Sequence, residues 1–355
     1  MAGGRFGAAI ATLGSALLLG AGSCRSGHGA SAGGSAGSVF DAGAGAHGGA
    51  GGTWAPGGNG GGGSGGEAAG GEAGGQGDAG TGGAGGQPGQ GGSGGAVALR
   101  VMAANLTSGS AQSYDSGEGI RIFQGLRPDL VLIQEFSYGA GSTGDIRAFV
   151  DAAFGTSFVF ARESGASLPN GVISRYPIVA AGVWDDPQVS NRELVWARVS
   201  LPNGNELWAV SVHLLTTSAN DRSLEAAALV SRIEAEVPSG ALLVLGGDLN
   251  TDSRFEGCVG ALAGRFVTAG PYPADGDGND DTNGSRTKPY DWVLASASLQ
   301  PFATPVVIGA QSFDHGLVFD SRVYTPLSDV APVLVTDSGA TNMQHMAVVR
   351  DFVVP

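Results

Sequence analysis

Residues 25–96 are about half glycine, with alanine, serine and a few glutamines making up most of the rest. A stretch without apolar periodicity has nothing to offset the entropy of ordering its backbone. It reads as a Gly-rich disordered linker. Strict Gly-X-Y repetition with abundant proline is missing, which excludes collagen. Whatever folds must therefore come from residues 97–355, about 260 residues, ample for one large core.

The segment before the linker has different physics. Residues 1–24 have the form of a signal peptide: Arg5 at the start, an apolar run from Ala8 to Leu19, then Ala21-Gly22-Ser23 ahead of Cys24. The run is short for a membrane span. A small-small-Cys ending resembles a bacterial lipoprotein signal, in which Cys24 is the lipidated first residue of the mature chain. Ala21 stands where that signal usually has Leu, so plain secretion stays open beside lipidation. Either route makes the chain extracytoplasmic, as a membrane-anchored lipoprotein or a secreted protein.

Of 18 basic and 32 acidic residues, Arg5 and Arg25 on one side and Asp41, Glu67, Glu72 and Asp78 on the other precede residue 97. That leaves 16 against 28 in the folded part, a balance that opposes passive binding to polyanions. The polybasic runs and stacking aromatics of a nucleic-acid-binding module are missing too. Cys258 is the only cysteine besides Cys24, so a disulfide framework is not expected. It lies in the apolar stretch Phe255–Leu262, which we expect to be helical.

Strands are expected at Ala98–Ala103, Leu130–Gln134, Phe158–Ala161, Gly171–Ser174, Leu194–Val199, Leu207–Leu214, Leu242–Leu245, Trp292–Leu294, Val306–Ile308 and Ala347–Phe352. Helices are interleaved. Ile146, Phe149, Val150 and Ala153 recur at helical spacing with Gly155 as a stop, and Ala226, Leu229, Val230, Ile233 and Val237 do the same ahead of Pro238. Ile120, Phe123 and Leu126 mark a third helix, closed by Pro128. In Leu207–Leu214, Trp208, Val210, Val212 and Leu214 share one side, and Ala209, Ser211 and His213 the other. Mixed alternating and fully apolar strands separated by helices predict an α/β fold with two packed sheets and helices outside.

Polar residues collect where these strands end. Leu242-Leu243-Val244-Leu245 runs into Gly246-Gly247-Asp248-Leu249-Asn250, and the spacing of two puts Asp248 and Asn250 on one side of an extended chain. A carboxylate and an amide so placed suit a divalent cation and a phosphoryl oxygen. Asn105, Glu135, Asn170, His213, Asp291 and His345 stand at other strand ends or before other strands. Each alone has an ordinary reading, as a turn former or a hydrogen-bonded core histidine.

Taken in order, the set resembles the endonuclease/exonuclease/phosphatase superfamily over nearly all of residues 97–355. The features are an opening Asn105, Gln134-Glu135 after an apolar strand, Asn170-Gly171 before a strand, His213-Leu214, Gly247-Asp248-Leu249-Asn250, Asp291 before an apolar strand, and a late His345. The resemblance implies a four-layer α/β sandwich, two packed mixed β-sheets flanked by helices. It implies that Glu135, helped by Asn105, holds Mg²⁺ (or Mn²⁺), and that Asp248 positions or deprotonates the attacking water. Asn250 would bind a phosphoryl oxygen, His213 would contact the phosphate, and Asp291 would orient His345 against the scissile phosphate. Asn170 and Arg286 are candidate substrate-binding residues, Arg286 and Lys288 being near Asp291 in sequence. These roles suit phosphoryl transfer, which is mostly positioning and charge neutralisation.

The expected activity is that of a secreted or surface-tethered Mg²⁺-dependent phosphodiesterase. Its substrate is a phosphate ester, either nucleic acid or a phospholipid or inositol phosphate, and no protein partner is indicated. Two departures stand against the family pattern. Thr107 replaces an Asp two residues after the opening Asn, and Gln344 replaces an Asp before the late His. They support the alternative, a catalytically inactive surface-binding protein that kept the fold. A further motif, Asp275-Gly276-Asp277-Gly278-Asn279-Asp280-Asp281, starts like a calcium loop but carries Arg286 where an EF-hand needs Glu. We expect an exposed loop there, and leave His315 without a role.

Overall fold

The computed structural model describes residues 40–42, 95–106 and 117–355. The leader with Cys24, nearly all of the glycine-rich segment, and Thr107 lie outside the described residues.

Two mixed sheets stand face to face. The first is built on β2 (Val97–Ala104) and β3 (Leu130–Ile133), which run parallel. β5 (Gly171–Ser174), β4 (Val159–Glu163) and β1 (Phe40–Ala42) continue it beyond β3, each antiparallel to its neighbour. On the other side β15 (Ala347–Val354) pairs antiparallel with β2 and carries β11 (Ala303–Thr304) and β14 (Leu317–Phe319). β1 comes from the segment expected to hold no strand. The edge of β4 offers unpaired backbone groups that a short extended piece of chain can satisfy.

The second sheet runs β10 (Asp291–Ala295), β9 (Leu242–Asp248), β8 (Glu206–His213), β7 (Leu194–Ser200) and β6 (Ile178–Trp184), all antiparallel except the β8–β9 pair. β12 (Val306–Ile308) and β13 (Gln311–Phe313) form a separate hairpin. The expected strands are present with small shifts of boundary. β6, β11, β13 and β14 are additions; β6, IVAAGVW, is half-buried along much of its length and shows no clean alternation.

Helices cover both outer faces. α1 (Glu118–Leu126) and α2 (Thr143–Phe154) pack Phe123, Phe149 and Phe154 into the core of the first sheet. Ser142 and Asp145 form a capping box at the start of α2, and Gly155 at φ 98° ends it. α3 (Ala219–Glu236) buries Ala226, Leu229 and Ile233 against the second sheet, with Cys258, Val259 and Leu262 of α4 (Gly257–Leu262) beside them. Cys258 is buried as a small hydrophobe, and burial pushes its thiol up to about 11, so it is no nucleophile. The result is a four-layer sandwich.

β8 divides its side chains between two cores as its alternation predicts. Trp208, Val210 and Val212 face α3. Leu207 and Ala209 face the other sheet, where Ser211 Oγ donates to Ile133 O at 2.9 Å and accepts from Gln134 Nε2 at 2.9 Å. Two glycines set the close approach of the sheets at β9. A Cβ on Gly246 would lie 2.7 Å from Leu132 Cδ1, and one on Gly247 would lie 2.6 Å from Gln134 Nε2. Gly247 also sits at φ 140°, open to glycine at no steric cost.

Candidate active site

The parallel pairs β2–β3 and β8–β9 bring their C-terminal ends to one place. Asn105 and Glu135 follow β2 and β3; His213 and Asp248 end β8 and β9 and are register partners. β10 runs antiparallel, so it contributes its first residue: Asp291 pairs with Asp248. His345 arrives just before β15 and is fixed by a bridge to Asn283. Six chain segments thus converge because the sheets are mixed.

Asp248 is the centre. Asn105 Nδ2 donates to Asp248 Oδ2 at 3.0 Å and to Glu135 Oε1 at 3.4 Å. The backbone N–H of Asn250 donates to Asp248 Oδ1 at 2.8 Å. His213 Nε2 and His345 Nε2 lie 3.4 and 3.6 Å from Asp248 Oδ2. On its other side His345 Nδ1 meets Asp291 Oδ2 at 3.0 Å. Asn250 Nδ2 donates to Leu214 O at 2.9 Å, which leaves a second N–H on that amide. Glu135 and Asn250 both adopt φ 51°, a left-handed backbone that non-glycine residues rarely hold unless the surroundings impose it.

Burial sets the charges. Asp248, Asp291, His213 and His345 are each 5% exposed or less. Burial pushes Asp248 up to about 6, with Asp291 adding to the rise and His345, Asn250 and Asn105 pulling against it. For His345 burial favours the neutral ring, but Asp291, Asp248 and Glu135 together outweigh it and raise the group to about 9. Burial also raises Asp291, against the pull of His345 and Thr282. At neutral pH the proton between the two therefore resides on His345. His213 is held well below 6.5 by burial and by the nearby Arg192 and His345 cations, so it is neutral. One histidine is a fixed cation and the other a neutral ring, both beside one carboxylate.

Ligand atoms of Asp248, Asp291 and His345 lie within 4.8 Å of one another, a spacing a metal ion can bridge. His345 Nδ1 is already committed to Asp291 and its ring is charged, which opposes a cation at that point. The all-oxygen alternative is Asn105 with Glu135. Asn105 is fully buried, its Nδ2 is used by both carboxylates, and its Oδ1 has no hydrogen-bond partner. That orphaned oxygen beside two carboxylates fits a hard divalent cation.

Asn170 and Arg286 behave differently from the cluster. Gly171 pairs with Ile133, so Asn170 flanks the Gln134–Glu135 turn, where its Nδ2 donates to Glu193 O at 2.7 Å and its buried Oδ1 is unpartnered. Arg286 is not brought to the site as a substrate ligand. Its guanidinium is paired with Asp275 at 2.7 Å and Asp320 at 2.9 Å and donates to Asn279 O and Asp281 O. Sequence proximity to Asp291 was misleading because the loop folds Arg286 back on its own acidic residues. The same pairing explains why Asp275-to-Asp281 is no calcium loop: Asp275 Oδ1 caps the N–H groups of Asp277 and Asn279, and Oδ2 takes Arg286. Gln344, in the family's acidic position, is exposed, and only its backbone oxygen, accepting from Gly284 N at 2.6 Å, ties it down.

Arg192 escaped the sequence reading, since nothing in its spacing marks it. Its Nε donates to His213 O at 2.5 Å and its Nη2 to Leu214 O at 3.0 Å, so one buried guanidinium holds the turn that carries His213 and anchors Asn250. Behind it Glu225 receives Leu215 N at 3.1 and 2.9 Å and lies close to the negative charge of Asp186. Burial pushes Glu225 up to about 8, against 4.5 for the free group. Between those values the folded state holds a proton the unfolded chain has lost, so this contribution to stability falls as pH rises and is gone above about 8. Glu225→Gln keeps an acceptor for Leu215 N and removes the titration. We expect little change in melting temperature at pH 5 and a higher melting temperature than wild type at pH 9. An equal wild-type-to-variant difference at both values would refute this role.

A family model described as the endonuclease/exonuclease/phosphatase family matches residues 120–329, more than half of the chain. The chain belongs to that family. The match contains Glu135, His213, Asp248, Asn250 and Asp291; Asn105 and His345 lie outside it and are joined to the cluster by the fold. The endonuclease/exonuclease/phosphatase from Bacteroides vulgatus superposes with a TM-score of 0.50 at 14% identity, covering 73% of this chain and 100% of that one. A functionally unknown conserved protein from Enterococcus faecalis gives 0.50 at 12%, covering 71% and 98%. The family member from Beutenbergia cavernae gives 0.48 at 20%, covering 72% of each chain. At such identities the likeness concerns the fold alone. No curated protein matches the chain. Members of the family are generally phosphoesterases or nucleases, and the fold here is theirs.

Proposed function

We propose that this protein is a Mg²⁺-dependent phosphodiesterase (Mn²⁺ serving as a substitute), and the observation that carries the reading is the Asp291–His345 pair set against Asp248 beside Asn105 and Glu135. Glu135 and the orphaned Asn105 Oδ1 would hold the cation, which when bound neutralises charge on the phosphoryl oxygens. Asp248, its carboxylate largely ionised above about pH 6, accepts a proton from water and aims it at phosphorus. His345, a fixed cation, stabilises the charge that builds on the phosphoryl group, while Asp291 fixes its ring. The second N–H of Asn250 and the ring of His213 contact the phosphate and hold it in line for attack. Water attacks phosphorus, one P–O ester bond breaks, and the leaving oxygen takes a proton.

The ester is a nucleic acid or a phospholipid or inositol phosphate. The acidic balance of the folded part favours a substrate recognised at the site over one gripped by a basic surface. Purified protein should hydrolyse at least one of DNA, RNA, sphingomyelin or an inositol phosphate with Mg²⁺ and none with excess chelator. Inertness toward all four would favour an inactive binding protein.

We further propose that the leader delivers the chain outside the cytoplasm and that a lipid on Cys24 anchors it. Among the described residues no helix is long and apolar enough to cross a membrane; in this reading the lipid on Cys24 is the anchor. Cys24→Ser should shift the protein from the membrane to the soluble fraction. Wild type found wholly soluble would leave plain secretion as the account.

A further inference from the structure

At the edge of the sandwich, where β10 meets β15, a cavity of ≈ 200 Å³ opens between the 267–273 loop and residues 314–316. Part of its wall is apolar: Val293, Val318, Val348 and Trp292 line it and are nearly fully buried. Arg350 of β15 also lines it. Arg350 Nη2 donates to Gln300 Oε1 at 2.9 Å and Nη1 to Val293 O at 3.4 Å, and both acceptors are neutral. Among the described residues no carboxylate lies within ion-pair distance of it. Burial alone lowers this guanidinium to about 10, with no anion opposing the shift. Arg350 is half-buried with its guanidinium 5.3 Å from the Phe352 ring, and a largely desolvated cation without a counter-charge is costly.

The other charged groups at the cavity are accounted for. Arg254 is clamped between the rings of Tyr272 and Trp292, each 4.3 Å away, and is paired with Asp280 at 3.0 Å. Asp291 reaches the cavity from its end but gives its carboxylate to His345. Asp314 and His315 are exposed at the mouth. One positive charge, touched only by the Phe352 ring and two neutral acceptors among the described residues, thus faces the chamber with no carboxylate opposite it. Gly316, at φ 109°, keeps the loop against Arg350: a Cβ there would lie 3.0 Å from Arg350 Cγ.

We propose that this cavity binds a small amphipathic carboxylate, its head on the Arg350 guanidinium and its apolar body against the valine and tryptophan walls. A guanidinium fork matches a carboxylate in two parallel hydrogen bonds. One uncompensated charge suits a singly charged head, and Asp291 and Asp314 nearby oppose a doubly charged phosphate. The cavity touches the proposed chemistry at Asp291, but carboxylate binding on Arg350 stands whether or not the protein is a phosphodiesterase.

The test is calorimetric titration of the full chain with benzoate and with its neutral analogue benzamide. Arg350→Met keeps the length of the side chain and removes the charge; losing a half-buried cation that has no carboxylate partner should not lower its melting temperature. Ala303→Trp, at an exposed position on the rim, fills the cavity from the other side and tests the idea independently of Arg350. Benzoate should bind wild type saturably and bind both variants at least roughly tenfold more weakly, since a charge-assisted pair is lost in one and the chamber is filled in the other. Benzamide should bind wild type and Arg350→Met alike. Equal benzoate binding by wild type and both variants would overturn the proposal, as would no saturable binding to wild type at tens of millimolar.

Discussion

His345→Ala is expected to lower turnover on the order of a hundredfold to a thousandfold, the usual cost of removing one group that stabilises transition-state charge. The loss appears in kcat more than in KM, because the imidazolium meets charge that develops during the reaction. Asp291→Asn should cause much of the same loss. Asp291 Oδ2 is 3.0 Å from His345 Nδ1, and the carboxylate is what keeps that ring charged despite its burial. The double variant should then be far less than additive, since the two residues act as a unit. Gln344→Asp restores the family's usual residue at an exposed position and should leave activity intact or raise it. Single-turnover cleavage of whichever ester the screen identifies, for the four variants side by side, is the measurement. Near-normal turnover in His345→Ala would mean that the late segment is wrongly aligned with the family, and His315 would be examined next.

Removing the metal should cost as much or more. Excess chelator should abolish activity, and Mg²⁺ or Mn²⁺ should restore it. A bound cation supplies several kcal/mol of charge stabilisation, so Glu135→Ala should lower turnover by at least about a hundredfold at low Mg²⁺. Glu135 sits at φ 51° two residues after β3, half-buried and outside the hydrophobic core. Its loss should therefore leave the melting temperature nearly unchanged while titration shows weaker Mg²⁺ binding. The separation of the two readouts is the point: strained residues at functional sites are kept for chemistry at some expense of stability. Full activity in excess chelator, or unaltered metal binding by Glu135→Ala, would refute the assignment.

Most of the layered fold was legible in the residues themselves. Alternation in Leu207–Leu214 placed Trp208 and Val210 on one face and Ala209 on the other, and the two cores divide them that way. Period-2 and period-3.6 patterns report which face is buried, and burial is the dominant force, so such elements survive in the fold. Strands with little contrast were not legible. β6 is half-buried along its length, and β1 borrows its stability from the edge of β4. The order of polar residues along the chain was also legible, because each stands where an apolar strand stops.

What the sequence alone determined, then, is the element types, the family order of Asn105, Glu135, His213, Asp248, Asn250, Asp291 and His345, and the division between a core-forming part and a glycine-rich one. Only tertiary structure decided which of these polar groups share a charge environment. Asp248 and Asp291 are neighbours through the β9–β10 register, and His345 joins them across a gap of 54 residues in the chain. Burial together with opposite charges then makes one histidine a cation and the other neutral, a result that no local pattern encodes. The same reason removed Arg286, near Asp291 in sequence but folded onto Asp275 and Asp320, and revealed Arg192 behind His213. Electrostatics and hydrogen bonding act through space over a few ångströms, and the sheet pairing sets those distances.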